Sequence, residues 1–147
     1  DIVAEAGEVA EAELIGYAHR HGMRIIGPNA LGVINTDPAV SMHGTFVPVD
    51  PIAGNVGLVA QSGVIGAAII DAARQIDMGI SSFVAVGNRA DVSSNDLLRY
   101  WHGDENTDVI IQQGTLLVAC IQYNLIDDLR CRHPDDRVNL QLFTGRE

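Results

Sequence analysis

The chain has 147 residues, room for one domain of ordinary size, with 47% hydrophobic and 19% charged residues. That balance, free of low-complexity tracts and repeats, excludes a disordered chain or a repeat array. The formal net charge is −10 and all nine basic residues are arginines scattered along the chain, which argues against nucleic acid as a partner. With no lysine there is no Schiff-base or P-loop lysine, so any bound anion must be held by arginine or by backbone.

Taken in chain order, the first segment is "EVAEAELIGYAHRHG". Ala10, Leu14, Tyr17 and Ala18 form one apolar helical stripe, with Glu5, Glu8 and Glu11 toward the start, His19, Arg20 and His21 toward the end, and Gly22 as a stop. The chain starts at Asp1, in what reads as the beginning of a helix, and is expected to be a piece of a longer polypeptide. "MRIIGPN" predicts a short strand ending in the Gly27-Pro28-Asn29 turn, and Thr36 to Asn55, with prolines and glycines and no period, predicts a linker or crossing loop.

From Val56 the pattern becomes strand, helix, strand, helix, strand. Val56 to Ala60 is continuously apolar, as a strand covered on both faces should be. Ile65, Ala68, Ile69, Ala72, Ala73 and Ile76 follow helical spacing, "SSFVAVGN" predicts the second strand, and "SSNDLLRYWHG" a helix capped by Ser93 with Asp96 three residues on. Val109 to Ile111 predicts the third strand. Beyond it, Leu116 to Ile121 reads as strand, Asn124 to Arg132 as helix and "VNLQLF" as strand. Alternation of this kind predicts a parallel sheet with helices on both faces.

The corner Gln61-Ser62-Gly63 falls where a buried strand turns into a helix. There the Ser62 hydroxyl can cap the helix, and the amides of Ser62, Gly63 and Val64 face an anion at the strand's carboxyl end. The next strand ends in "GNRADVSSND", where Gly87 frees the backbone and Asn88, Arg89 and Asp91 present polar groups. In a parallel sheet both loops lie on one rim, where ligands bind; two ordinary capped loops would show the same residues. Cys120 and Cys131 are too few and too far apart for a disulfide framework, and "CRH" at Cys131 to His133 offers too few ligands for a metal, so no metal site is expected. No apolar segment approaches a membrane span and no signal pattern opens the chain, so the expectation is a cytoplasmic protein with no membrane partner.

"GMRIIGPNALGVINTDP" and the run "GLVAQSGVIGAAIIDAARQIDMGISSFVAVGNRADVSSNDLLRYWHGDENTDVI" resemble the NDP-forming acyl-CoA synthetases, relatives of the succinyl-CoA synthetase α subunit. The Gly-Pro-Asn-x-Leu-Gly run, the Gln-Ser-Gly corner and the Gly-Asn-x-x-Asp-Val loop stand in that family's order, from about Gly22 to Val109, and "LFTGRE" is similar to the segment before its phosphohistidine loop. The resemblance implies a flavodoxin-like, three-layer α/β ligase domain over residues 56–147, a linker over 36–55, and over 1–35 the last helix and strand of a Rossmann-like CoA-binding domain.

It also implies the reaction of an acyl-CoA, phosphate and ADP to a free acid, CoA and ATP, through an acyl phosphate and a phosphohistidine. Gln61, Ser62, Gly63 and Val64 would then cradle the phosphoryl group, with Gly87, Asn88 and Asp91 on the facing loop and Pro28, Asn29 and Ala30 near the reactive end of CoA. ADP or ATP with magnesium would sit on an ATP-grasp domain or subunit. Ala30 stands where many relatives carry cysteine, "VIIQQG" lacks the family's acidic residue, and none of the five histidines lies in a phosphohistidine motif. No catalytic residue is therefore assigned to this chain, and alone it is expected to be inactive. A degenerate module sensing acyl-CoA or nucleotide within an acetyltransferase-fused protein is the alternative. Loss of the neighbouring domains predicts a homo-oligomer or a dynamic C-terminal region.

Overall fold

The computed structural model describes residues 2–114, 118–122 and 141–143. Helix α1 (Ile2–Arg20) comes first, then β1 (Gly32–Asn35), β2 (Met42–Thr45), β3 (Ala53–Ala60), α2 (Gly63–Gln75), β4 (Ile80–Ala85), α3 (Ser94–His102), β5 (Val109–Gln113), β6 (Val118–Gln122) and β7 (Gln141–Phe143). The strands form one sheet in the order β2-β1-β4-β3-β5-β6-β7.

The centre of the sheet is the parallel trio β4-β3-β5, with Leu58 beside Phe83 and Ile111, and Ala60 beside Ala85 and Gln113. Period-2 alternation sends neighbouring apolar residues to opposite faces. Leu58, Ala60, Phe83 and Ala85 pack with Ile70 and Ala73 of α2, whereas Val59, Val84, Val86 and Ile110 pack with Leu97 and Trp101 of α3. The result is a three-layer α/β unit, the flavodoxin-like arrangement expected. Trp101 is fully buried, and its indole N–H donates to the Ser82 hydroxyl at 2.7 Å, so the one polar atom of that ring is satisfied. The predicted cap of α3 forms a reciprocal box, in which Ser93 caps the Asp96 amide and the Asp96 carboxylate accepts from the Ser93 amide.

The sheet is mixed rather than parallel throughout. β1 pairs antiparallel with β4 and with β2, and β6 antiparallel with β5 and with β7. Too few residues separate β1 from β2, or β5 from β6, for the crossover that parallel pairing requires. The stretch read as a linker, Thr36 to Asn55, therefore contains β2 and the start of β3, and β1 belongs to the same sheet as the trio. Residues 23–29 form no strand. They run along the loop after β4, where the amides of Asn88, Ala90 and Val92 donate to the carbonyls of Pro28, Gly27 and Ile25, a one-sided pairing without a ladder. The helix predicted over Asn124 to Arg132 lies outside the described residues, as do the CRH triplet and most of "LFTGRE".

Candidate functional site

Both central βα loops open at the carboxyl edge of the trio, and an open cleft of about 560 Å³ lies there. Its walls come from three separate stretches: Asn29 to Leu31, Gln61 to Val64 and the Gly87-Asn88 pair, with Phe46 from the chain after β2. Of the residues singled out in the sequence, Asn29, Ala30, Gln61, Ser62, Gly63, Val64, Gly87 and Asn88 all line it. Among the described residues, none that lines it is charged.

Ser62 adopts the extended backbone of an N-cap, and its hydroxyl accepts from the Ile65 amide at 3.4 Å. Its own amide is not free for a ligand: it donates to Gln113 Oε1 at 3.1 Å. Gln113, at the end of β5 and only 4% exposed, also accepts from the Gln61 amide through its carbonyl, while its side-chain N–H donates to the Gly114 carbonyl. Of the three amides expected to face an anion, that of Ser62 is thus already taken. Gly63 and Val64 open α2, and residues in the first turn have no intrahelical acceptor. Gly63 is required for packing: a Cβ there would stand 2.7 Å from the Leu31 Cβ.

The facing wall is held by backbone. Gly87 has φ of +53°, and a Cβ on it would run into the carbonyl groups of Pro28 and Asn29. The Asn88 amide donates to the Pro28 carbonyl at 2.9 Å, and the Asn29 carboxamide reaches Asn88 Oδ1 at 3.5 Å. Pro28 itself does not line the cleft; its carbonyl locks the loop.

Asp91 does not reach the cleft either. Its side chain, 4% exposed, accepts from the Ile25 amide at 2.7 Å and the Arg24 Nε at 2.8 Å, with His19 Nε2 at 3.0 Å. Burial by itself raises the carboxyl pKa, but the Ile25 amide, His19 and Arg24 together outweigh it and hold the group below its ordinary value. The rim position predicted for Asp91 is therefore corrected to a tether joining the end of α1, residues 24–25 and the β4 loop. Leu31, Phe46 and Gln113 are the site residues that sequence reasoning missed. Among the described residues no group of three or more His, Cys, Asp or Glu side chains is gathered to hold a metal ion, and no helix is long and apolar enough to cross a membrane.

Residues 53–113, from the first residue of β3 to the last of β5, match the model of the succinyl-CoA ligase like flavodoxin domain. The chain carries that domain. Its surroundings match too: the chain is 40% identical over 109 residues to the acetate–CoA ligase [ADP-forming] I subunit alpha of Pyrococcus furiosus, covering 74% of this chain and 23% of that one. It is 40% identical over 114 residues to the acetate–CoA ligase [ADP-forming] of Methanocaldococcus jannaschii, covering 75% and 16%. A solved structure of the dinucleotide forming acetyl-coenzyme A synthetase 1 of Ca. Korarchaeum cryptofilum, in complex with phosphate and ADP, superposes with a TM-score of 0.64 at 41% identity, covering 69% of this chain and 22% of that one. The chain thus spans less than a quarter of the length of these relatives. The ligase domain accounts for the parallel trio and its two helices, and both of its βα loops open into the cleft.

Proposed function

We propose that this chain supplies the phosphoryl-handling wall of an ADP-forming acid–CoA ligase, which takes an acyl-CoA, phosphate and ADP to a free acid, CoA and ATP. The observation that carries this reading is the convergence of Asn29 to Leu31, Gln61 to Val64 and Gly87-Asn88 on one cleft at a helix N-terminus. The Gly63 and Val64 amides point their dipoles at a phosphoryl group, and the Asn88 and Asn29 carboxamides close the opposite side. A neutral cleft with two amide donors fits an anion that must be held and released within each turnover. CoA supplies the thiol that carries the acyl group, and Asn29 and Ala30 are placed to receive that end. Magnesium-bound ADP or ATP is assigned to an ATP-grasp domain or subunit, since no carboxylate among the described residues lines this cleft.

A phosphoryl-carrying histidine must come from another segment or chain, because none of His19, His21, His43 or His102 lines the cleft. The chain alone is accordingly expected to form no acyl-CoA and to take no phosphoryl group from acetyl phosphate. The test is a titration with inorganic phosphate followed through backbone amide resonances. Saturable shifts at Gly63 and Val64, with Ser62 and Asn88 shifting less because Gln113 and Pro28 occupy their amides, support the reading. Shifts elsewhere with none at these residues would remove it.

A further inference from the structure

Strand β2 is the outermost strand on its side of the sheet, and among the described residues no strand lies beyond it. The ladder shows which of its backbone groups are left over. The Thr36 amide donates to the Ser81 carbonyl, so in the β1-β4 register Thr36 and Ile34 turn their amides and carbonyls toward β4. Val33 and Asn35 therefore turn theirs toward β2, where they pair with Gly44 and Met42. The amides and carbonyls of His43 and Thr45 are left facing away from the sheet. Natural edges of this kind are blunted by charge, proline or a bulge. This one is not: in a chain of net charge −10, the stretch from Val40 to Val49 contains no Asp, Glu, Arg or Lys, and β2 contains no proline. Val40, Met42 and Phe46 are 53%, 44% and 90% exposed.

We propose that β2 is a dimerisation edge, pairing antiparallel with β2 of a second copy about a two-fold axis at Gly44. In that register His43 faces the partner's Thr45, and their outward amides and carbonyls exchange hydrogen bonds; the two-fold repeats the exchange on the other side of the axis. Gly44 meets the partner's Gly44 at the non-hydrogen-bonded position, where strands come closest and no side chains compete. Met42 falls opposite the partner's Phe46, a thioether beside an aromatic ring. Neighbouring registers fail. An axis at His43 would set Thr45 against the partner's Ser41, whose φ of +44° has already left the strand, and an axis at Thr45 would set His43 against the partner's Val47, which is buried. The edge is therefore self-complementary in one register, which singles out a second copy over an unrelated strand. This proposal does not depend on the phosphoryl reading.

The experiment is analytical sedimentation of the full chain, joined to a cross-link. Reversible dimers are expected near about 100 μM. Gly44→Cys should bridge two copies on mild oxidation, because residues facing each other at a non-hydrogen-bonded position lie within disulfide reach. The position accepts the side chain, since a Cβ there meets only the Val33 carbonyl oxygen, at 3.5 Å. Thr45→Pro removes an outward amide and no bond to β1, so it should weaken the dimer about ten- to a hundredfold. Thr45→Ala keeps that amide and should dimerise nearly as the wild type does. Met42→Glu sets a carboxylate against an apolar ring on both sides of the axis and should weaken the dimer as Thr45→Pro does. Should Thr45→Pro fail to fold by circular dichroism, Met42→Glu and the bridge decide. Peptide mapping that places the bridge at position 44, with none in the wild type despite Cys120 and Cys131, supports the edge. A chain still monomeric at about 1 mM overturns it. So does a dimer that fails to bridge at position 44 or is unmoved by Met42→Glu, since its contact then lies on another face.

Discussion

Asp91 shows how a polar residue in the right loop can serve the site without facing it. Its carboxylate ties the Ile25 amide, Arg24 and His19 together, and so sets where Asn29 meets Asn88. Asp91→Asn should cost about 2 kcal/mol at neutral pH, the scale of charged hydrogen bonds lost at a buried site, read from chemical denaturation. The folded pKa lies below the ordinary 3.8, so this contribution is present above 3.8 and is lost as pH falls through the lower folded value. The gap between wild type and variant should therefore close as pH falls through the acid range; a gap that widened in acid would contradict the tether. Gln113 carries a second prediction. Gln113→Ala leaves the Ser62 amide without its acceptor, so that amide should exchange with solvent faster, and stability should fall by about 1–3 kcal/mol. Ser62, Gly63 and Gly87 were legible in the sequence because strand-to-helix turns demand caps and small residues. Gln113 and Asp91 were not, because local sequence does not say which neighbouring strand or segment a side chain will cross to.

At the scale of elements, the trio was legible as short apolar runs closed by turn residues, and its two helices by their apolar spacing and caps. β1 and β2 were hidden for the opposite reason: four residues each, glycine-containing and joined through a proline, they are specified by their neighbours, β1 by the edge of β4 and β2 by the edge of β1. Helices α1 and α2 separate the two roles glycine plays. At Gly66 a Cβ would stand 2.8 Å from the buried Phe83 ring and 3.0 Å from the Ala60 Cβ, so α2 lies on the sheet only because that side chain is absent. Gly66→Ala should destabilise by about 1–2 kcal/mol, overpacking outweighing the gain in helix propensity. Gly7 of α1 has nothing within 4 Å of the same position. Gly7→Ala should raise helicity by circular dichroism without lowering the melting temperature. If both substitutions acted in the same direction, the close approach of α2 to the sheet would not be what holds Gly66.

Across the whole molecule, the acidic charge sets the sign of the anion's salt dependence. An anion held by arginine is released as salt screens the attraction, whereas one held by helix amides inside a chain of net charge −10 is repelled by everything else around it. Raising ionic strength from about 0.01 M to about 0.15 M shortens the screening length from ~30 Å to ~8 Å. Long-range repulsion should weaken while the short amide contacts persist, so phosphate should bind roughly two- to fivefold tighter. Sodium gluconate in place of chloride limits competition by a small anion. Arg89 follows Asn88 in the chain but does not line the cleft, so Arg89→Ala should leave the phosphate affinity within about twofold and preserve the direction of the salt effect. Calorimetric or resonance titrations at several ionic strengths measure it directly. Affinity that falls steadily with salt, and collapses with Arg89→Ala, would place the anion on a guanidinium and take it away from the N-terminus of α2.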